Sequence, residues 1–142
     1  MRQLYETQND LMRESAVAKE LCKQWKCDGK KYSTAHHLDY KLTRGNQLMA
    51  LCEIKCRNVH SYDYDTYMIS YNKIKNARTI SREQRVPAFI VVHYEDDIQY
   101  FDVEELPNLL SEGGRTDRND PFDIEEVAHY NMNRLKSIYP SC

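Results

Sequence analysis

The chain of 142 residues is long enough for one domain with a substantial core and too short for two. Hydrophobic residues make up 41% of the chain and charged residues 30%, a composition typical of soluble globular proteins, and the net charge is only −2. Because no stretch approaches the roughly eighteen apolar residues of a membrane span and the N-terminus lacks an apolar signal segment, we expect a protein that works in a cytoplasm without a membrane partner.

The small net charge hides an uneven distribution along the chain. Residues 1–94 contain 16 Lys and Arg against 10 Asp and Glu, whereas residues 95–126 contain 2 basic against 12 acidic residues. Such asymmetry is typical of a protein that presents one surface to a polyanion. Two solvated faces of opposite sign explain the same pattern equally well, so charge alone leaves both interpretations open.

The first predicted element is a helix that ends at about residue 25. Its apolar residues recur at helical spacing and form one stripe: Leu11, Ala18, Leu21, Cys22 and Trp25. Glu14 lies on or beside this stripe, where an unpaired carboxylate is costly. Asp28 and Gly29 are predicted to end the helix.

A β-hairpin is predicted next. Apolar and polar residues alternate over residues 38–42, residues 43–46 read as a turn, and the second strand covers residues 48–57. The second strand is unusual because its small, apolar sequence suddenly contains Glu53 and Lys55.

Glu53 and Lys55 lie on one face of this strand, about 6.5–7 Å apart. Pairing outward from the predicted turn places Asp39 opposite residues 49–52, within about one strand step of Glu53. The sequence therefore predicts that two carboxylates and one amine meet on adjoining strands. Taken alone, a pair such as Glu53 and Lys55 is more often a surface ion pair, and a residue such as Glu14 is more often a partly exposed carboxylate with a tyrosine or arginine partner.

The rest of the chain predicts a loop over residues 58–65, a helix over 71–84, strands over 88–94 and 98–103, a loop over 111–123, a strand over 124–130 and a short helix over 132–139. Through residue 103 the order is α-β-β-α-β-β. This order predicts a single α/β (α+β) domain in which helices flank a mixed β-sheet.

Asp39 followed, after a hairpin turn, by Glu53-Ile54-Lys55 resembles the D…ExK motif of the PD-(D/E)XK nuclease superfamily, with Leu38 in place of the proline. The resemblance covers roughly residues 8–103 in the order of elements. It implies a restriction-endonuclease-like αβββαβ core within a single domain over residues 1–142. Residues 104–142 are then an acidic loop and a C-terminal extension.

This resemblance implies a metal site. Asp39 and Glu53 would bind Mg²⁺ or Mn²⁺ together with the backbone carbonyl of Ile54, and Lys55 would orient or activate the attacking water. Phosphodiester hydrolysis favours such a set on chemical grounds, because a cation held by one or two carboxylates neutralises the phosphate and activates water.

Two more catalytic candidates follow from the resemblance. Glu14 is the matching acid on the first helix, and Lys73 occupies the position of a residue near the scissile phosphate. The basic first part of the chain would supply the nucleic-acid-binding surface. Its candidate residues are Lys41, Arg44, Lys73, Lys75 and Arg78.

The leading hypothesis is therefore a divalent-metal-dependent nuclease that hydrolyses phosphodiester bonds in DNA. Structured or branched DNA is one candidate substrate, and RNA as a substrate and a homodimer as the assembly stay open. The loop GGRTDRND resembles loops of small phage-encoded proteins, which suggests a viral source and the host cytoplasm as the location. The alternative is a catalytically inactive nuclease-fold phage accessory protein that binds nucleic acid or a host protein through its acidic segment. A cysteine-dependent enzyme is a third option, but no thiol has a convincing catalytic partner.

Overall fold

The computed structural model describes residues 8–32, 38–114 and 124–140. Within these ranges it contains two α-helices, nine β-strands and a short 3-10 helix. In chain order they are α1 (Gln8–Trp25), β1 (Asp28–Lys31), β2 (Tyr40–Arg44), β3 (Gln47–Cys56), β4 (Thr66–Ser70), α2 (Tyr71–Gln84), β5 (Ala88–His93), β6 (Ile98–Asp102), β7 (Leu109–Gly114), β8 (Ile124–Asn131), the 3-10 helix (Met132–Arg134) and β9 (Lys136–Ser137).

A six-stranded mixed sheet forms the centre of the domain. Its strand order is β1-β2-β3-β5-β6-β9, and β3 runs parallel to β5 while the other neighbours are antiparallel. A second sheet of three strands has the order β4-β8-β7. The predicted fold class, a mixed α and β domain with helices against a mixed sheet, is confirmed, and the second sheet is an addition that the sequence pattern did not predict.

The large sheet has a hydrophobic core on each face. Along β5, Val91 packs with residues of α1, whereas its neighbours Ile90 and Val92 pack with α2 and the small sheet. This alternation explains the continuous apolar run of the strand, because both of its faces are covered. Any polar side chain on β3 must therefore lie close to one core or the other.

The hairpin of β2 and β3 turns at Gly45 and Asn46, a tighter turn than predicted. Gly45 has a φ of +63°, which glycine adopts without steric cost. The register shifts between Leu42 and Thr43, and beyond this irregularity Tyr40 pairs with Cys52. The register shift determines which residue of β3 faces the start of β2.

The end of α1 differs from the prediction. The helix ends at Trp25 because Lys26 adopts a left-handed φ of 54°, and the Cys27 N–H donates to the Cys22 carbonyl at 3.0 Å. Residues 28–31 do not merely end the helix but form β1, which pairs with β2 at the edge of the sheet.

Two predictions for the C-terminal part are wrong. Residues 111–114 belong to β7, while the remainder of the predicted loop lies outside the described residues. Residues 132–139 do not form the predicted helix. Only a single 3-10 turn forms at the start of this segment, and further along the Ile138 N–H donates to the Ile98 carbonyl at 2.9 Å. Tertiary pairing with β6 thus outweighs local helix propensity. In the described ranges, no helix is both long and apolar enough to cross a membrane.

Candidate active site

Asp39 is bound to β3 at two backbone positions. Its N–H donates to the Cys52 carbonyl at 2.9 Å, and its carboxylate Oδ2 accepts a hydrogen bond from the Ile54 N–H at 2.8 Å. Because Cys52 and Ile54 are the two chain neighbours of Glu53, these bonds place Asp39 beside Glu53 on the adjoining segment. The structure therefore brings together the two acids that the hairpin register predicted to be neighbours.

Glu53 is the most enclosed of the site carboxylates. Only 4% of the residue is exposed, and its Oε1 lies 2.8 Å from Lys73 Nζ and 3.2 Å from Lys55 Nζ. Its Oε2 is also buried but has no hydrogen-bond partner among the described residues. An unpaired buried carboxylate oxygen is costly unless something completes its coordination, so this atom indicates a place for a cation or a water.

The two lysines on Glu53 differ in their electrostatic environment. Burial lowers the pKa of Lys55, although the nearby Glu53 carboxylate opposes that shift. Burial also disfavours the charged form of Lys73, but the hydrogen bond to Glu53 and the negative charges of Glu53 and Asp39 together outweigh it and raise the pKa of Lys73. Lys73 therefore keeps its proton to a higher pH than an ordinary lysine does, whereas Lys55 releases its proton more easily.

Asp39 lies in an environment that resists ionisation. Burial raises the pKa of Asp39 to about 6, and the negative charges of Glu14 and Glu53 act in the same direction, while the Ile54 N–H opposes them. Near-neutral pH therefore leaves Asp39 close to its point of ionisation. Such a perturbed carboxyl is typical of a functional site.

Glu14 approaches Asp39 from α1. It is 7% exposed, and its Oε1 binds Lys31 Nζ of β1 at 2.6 Å. The sequence pattern predicted the burial of Glu14 but missed Lys31, because residues 28–31 were interpreted as the end of the helix. Interpreting residues 28–31 as a strand would have identified Lys31 as the partner of Glu14.

The donor set fits a hard divalent cation. No three His, Cys, Asp or Glu side chains lie close enough to hold a metal ion by themselves in the described part of the chain. Mg²⁺, however, is usually bound through one or two carboxylates plus waters and substrate oxygens. The Asp39 carboxylate and the unpaired Oε2 of Glu53 are oxygen donors of this kind. The Ile54 carbonyl stays a predicted ligand.

Two of the candidate nucleic-acid-binding residues have structural partners. Arg44 donates to the Trp25 and Lys26 carbonyls at 3.0 and 3.2 Å, and so stabilises the end of α1. Arg78 donates to the Val103 carbonyl at 2.7 Å and also binds two further oxygens. Each guanidinium has five N–H donors, so both arginines keep further donors, and their role in nucleic-acid binding stays a prediction.

The three remaining candidates are lysines with ring or carboxylate partners. Lys41 Nζ lies 5.1 Å from the Tyr32 ring centroid, and Lys75 Nζ lies 5.3 Å from that of Tyr71. Lys73 binds Glu53 as described above. A role for these lysines in nucleic-acid binding stays a prediction.

The fold is similar to that of two nucleases of known structure. Hjc, described as a Holliday junction resolvase from the archaeal hyperthermophile Archaeoglobus fulgidus, is 15% identical over 83% of this chain and 82% of its own, with a TM-score of 0.55. D212, described as a nuclease from a fusselovirus, is 17% identical over 96% of this chain and 91% of its own, with a TM-score of 0.53. At this identity the similarity establishes the fold alone.

Residues 1–138 match the family described as "Phage putative PDDEXK endonuclease", and the chain belongs to this family. The resemblance that Asp39 and Glu53-Ile54-Lys55 suggested is thereby confirmed at the level of the superfamily. A comparison with curated proteins found no match.

Replacing Asp39 with Asn is expected to stabilise the metal-free protein at pH 8. The folded-state pKa of about 6 lies above the unfolded value, so stability falls as pH rises from about 4 through 6, by on the order of 2 kcal/mol. The amide oxygen of Asn still accepts from Ile54 without carrying charge. Urea unfolding in EDTA at pH 4 and pH 8 measures the effect.

The gain should be much smaller at pH 4, where Asp39 is protonated in nearly all folded molecules and in roughly two fifths of the unfolded ones. Asp65→Asn is the matched control, because Asp65 is exposed and its side chain makes no hydrogen bond within the described ranges. A destabilised Asp39→Asn at pH 8 would contradict the assigned burial of this charge.

Arg78→Ala is expected to lower the free energy of unfolding by about 2 kcal/mol, because buried carbonyls lose a charged donor. Chemical denaturation of this variant beside Lys75→Ala tests it. Lys75 lies exposed on the same helix, and its replacement should change stability by less than about 0.5 kcal/mol. Equal stability of the two variants would argue against the structural role of Arg78.

Proposed function

We propose that the protein is a Mg²⁺- or Mn²⁺-dependent endonuclease that hydrolyses phosphodiester bonds in DNA in the cytoplasm of a phage-infected host. The observation that carries the proposal is the unpaired, buried Oε2 of Glu53 beside Asp39. Membership in a phage endonuclease family supports the reaction class. Similarity in fold to a Holliday junction resolvase makes branched DNA the first substrate to test.

Asp39 and Glu53 would hold the cation with the Ile54 carbonyl, and Glu14 would assist from α1. The chemistry that the cation supplies when bound is neutralisation of charge on the phosphate and activation of water. The Ile54 N–H holds the Asp39 carboxylate against β3 at the residue next to Glu53. This preorganisation lowers the cost of bringing two negative carboxylates together when substrate arrives.

Lys55 and Lys73 would have different roles in the reaction. Lys55, whose pKa burial lowers, is placed to orient the attacking water and to accept its proton at Nζ. Lys73 has a half-exposed side chain, with 46% of its area accessible, so its ammonium reaches both Glu53 and the solvent side of the site. Lys73 would therefore stabilise the negative charge that develops on the phosphate.

The alternative, an inactive accessory protein that binds nucleic acid or a host protein, is favoured by one observation. Each acid of the site already has a close partner in the protein, since Glu53 Oε1 binds two lysines and Glu14 binds Lys31. In an active nuclease, cation and substrate would have to rearrange these ion pairs. Cleavage measurements separate the two functions.

Glu53→Gln is expected to abolish Mn²⁺-dependent cleavage of supercoiled plasmid and of a four-way junction while the protein stays folded. The amide removes the negative charge that a cation requires but keeps the size of the side chain. Nicking and linearisation are followed on gels with Mn²⁺, with Mg²⁺ and with EDTA, and circular dichroism checks the fold.

Glu83→Gln is the matched control, because Glu83 is an exposed glutamate at the end of α2 and its loss should leave cleavage unchanged. Cleavage by Glu53→Gln at the wild-type rate would refute the proposed site. A wild-type protein that cuts no DNA with either metal, yet binds it, would favour the accessory function.

A further inference from the structure

A cavity of about 470 Å³ opens near the end of β3, beyond Lys55. Arg57, which lines it, continues the parallel pairing of β3 with β5, because its N–H donates to the His93 carbonyl at 2.9 Å. Strand alternation then puts the Arg57 side chain on the face that carries Glu53 and Lys55. Because Arg57 is four residues from Glu53, the cavity begins about 13 Å along the strand from the proposed reaction centre.

The cavity wall contains a tyrosine ring that is exposed on an anchored loop. Tyr64 is 66% exposed. On one side of it, the Asp96 carboxylate accepts hydrogen bonds from the Ser61 N–H and hydroxyl at 2.7 and 2.6 Å. On the other side, the Asp65 carbonyl accepts from the Met132 N–H at 2.9 Å. Met68 of the same lining is also 57% exposed, and exposed apolar side chains grouped around one cavity indicate a surface for a ligand.

The rest of the lining combines apolar surface with a few polar groups. Tyr67 forms part of it, with the Arg57 guanidinium 5.5 Å from its ring centroid, and Val59 and Met68 add apolar surface. The Asp65 carboxylate also lines the cavity and makes no hydrogen bond to the described residues. Such a site suits a flat molecule with apolar faces and hydrogen-bonding edges.

The charges around the cavity favour a nucleobase over a phosphate as its occupant. Asp65 lines the cavity, Asp63 belongs to the same loop, and Asp96 of the β5–β6 turn binds Ser61 of the lining. These carboxylates would repel a phosphodiester group. A base carries no charge, and a carboxylate accepts hydrogen bonds from its amino groups. The backbone of the same nucleotide would lie toward Arg57 and the lysines.

We propose that this cavity binds an unpaired base of the substrate close to the scissile phosphate, with Tyr64 as the stacking platform. The inference rests on the proposed nuclease function and names its substrate class. A paired base is stacked inside the duplex and cannot enter the cavity, whereas a flap, a single strand or an opened branch point presents its bases. The protein therefore selects DNA with unpaired nucleotides over continuous duplex.

Fluorescence polarisation in EDTA, where cleavage is suppressed, tests the proposal with the purified full chain. The probes are a labelled single strand, a duplex with a single-stranded flap and a blunt duplex of equal length. The wild-type protein should bind the first two more tightly. Tyr64→Ala should weaken their binding roughly tenfold, the loss expected for one stacked base, without changing the affinity for blunt duplex.

Tyr64→Phe keeps the ring and should bind as the wild type does. Tyr139→Ala is the matched control, because Tyr139 is 40% exposed but follows β9 at the far edge of the sheet, and its removal should have no effect. Wild-type affinity of Tyr64→Ala for the flap, or an equal loss on all three probes, would overturn the proposal.

The same preparations separate this inference from the function on which it rests. If wild type cleaves with Mn²⁺ and Glu53→Gln does not, but Tyr64→Ala keeps the full preference for the flap, the cavity proposal alone is overturned. If no preparation cleaves DNA, but the preference depends on Tyr64, the nuclease proposal fails and the cavity stands as a site for unpaired bases.

Discussion

The hydrogen bond from the Ile54 N–H to the Asp39 carboxylate, at 2.8 Å, is the constraint on which the site depends. In this bond the Asp39 side chain, rather than a main-chain carbonyl, accepts from the strand β3. Asp39 is thereby joined to the residue that follows Glu53. The bond orients the Asp39 carboxylate without neutralising it. Burial then raises the pKa of Asp39 to about 6, because the folded protein disfavours the ionised carboxylate. The proposed metal binding requires this same ionised form.

The lysines explain how the domain tolerates these acids. Glu14 binds Lys31, and Glu53 binds Lys55 and Lys73, so the buried carboxylates are compensated by amines from three different elements. Breaking one such pair would leave an uncompensated buried charge. The metal-free protein is thus stabilised by contacts that a cation would weaken, which is a common relation between stability and activity at functional sites.

The position of the site follows from the two-sided sheet. α1 packs on one face and brings Glu14, while α2 packs on the other and brings Lys73. Asp39 lies just before β2 begins, where the chain enters the sheet, and can therefore interact with acids from both sides. Further along β3, the same face leads from Glu53 through Lys55 to Arg57, so the proposed reaction centre and the cavity with Tyr64 lie along one strand.

Local pattern determined much of this protein. Helical spacing predicted α1 and α2, alternation and a turn predicted the hairpin, and the spacing of Asp39 and Glu53-Ile54-Lys55 indicated the superfamily. Tertiary structure decided the rest: the β1 strand with Lys31, the small sheet that pairs β4 with β8, and the structural use of Arg44 and Arg78. Periodicity depends on neighbours along the chain, whereas these partners lie 17 residues or more apart, and only the folded backbone brings such groups within bonding distance.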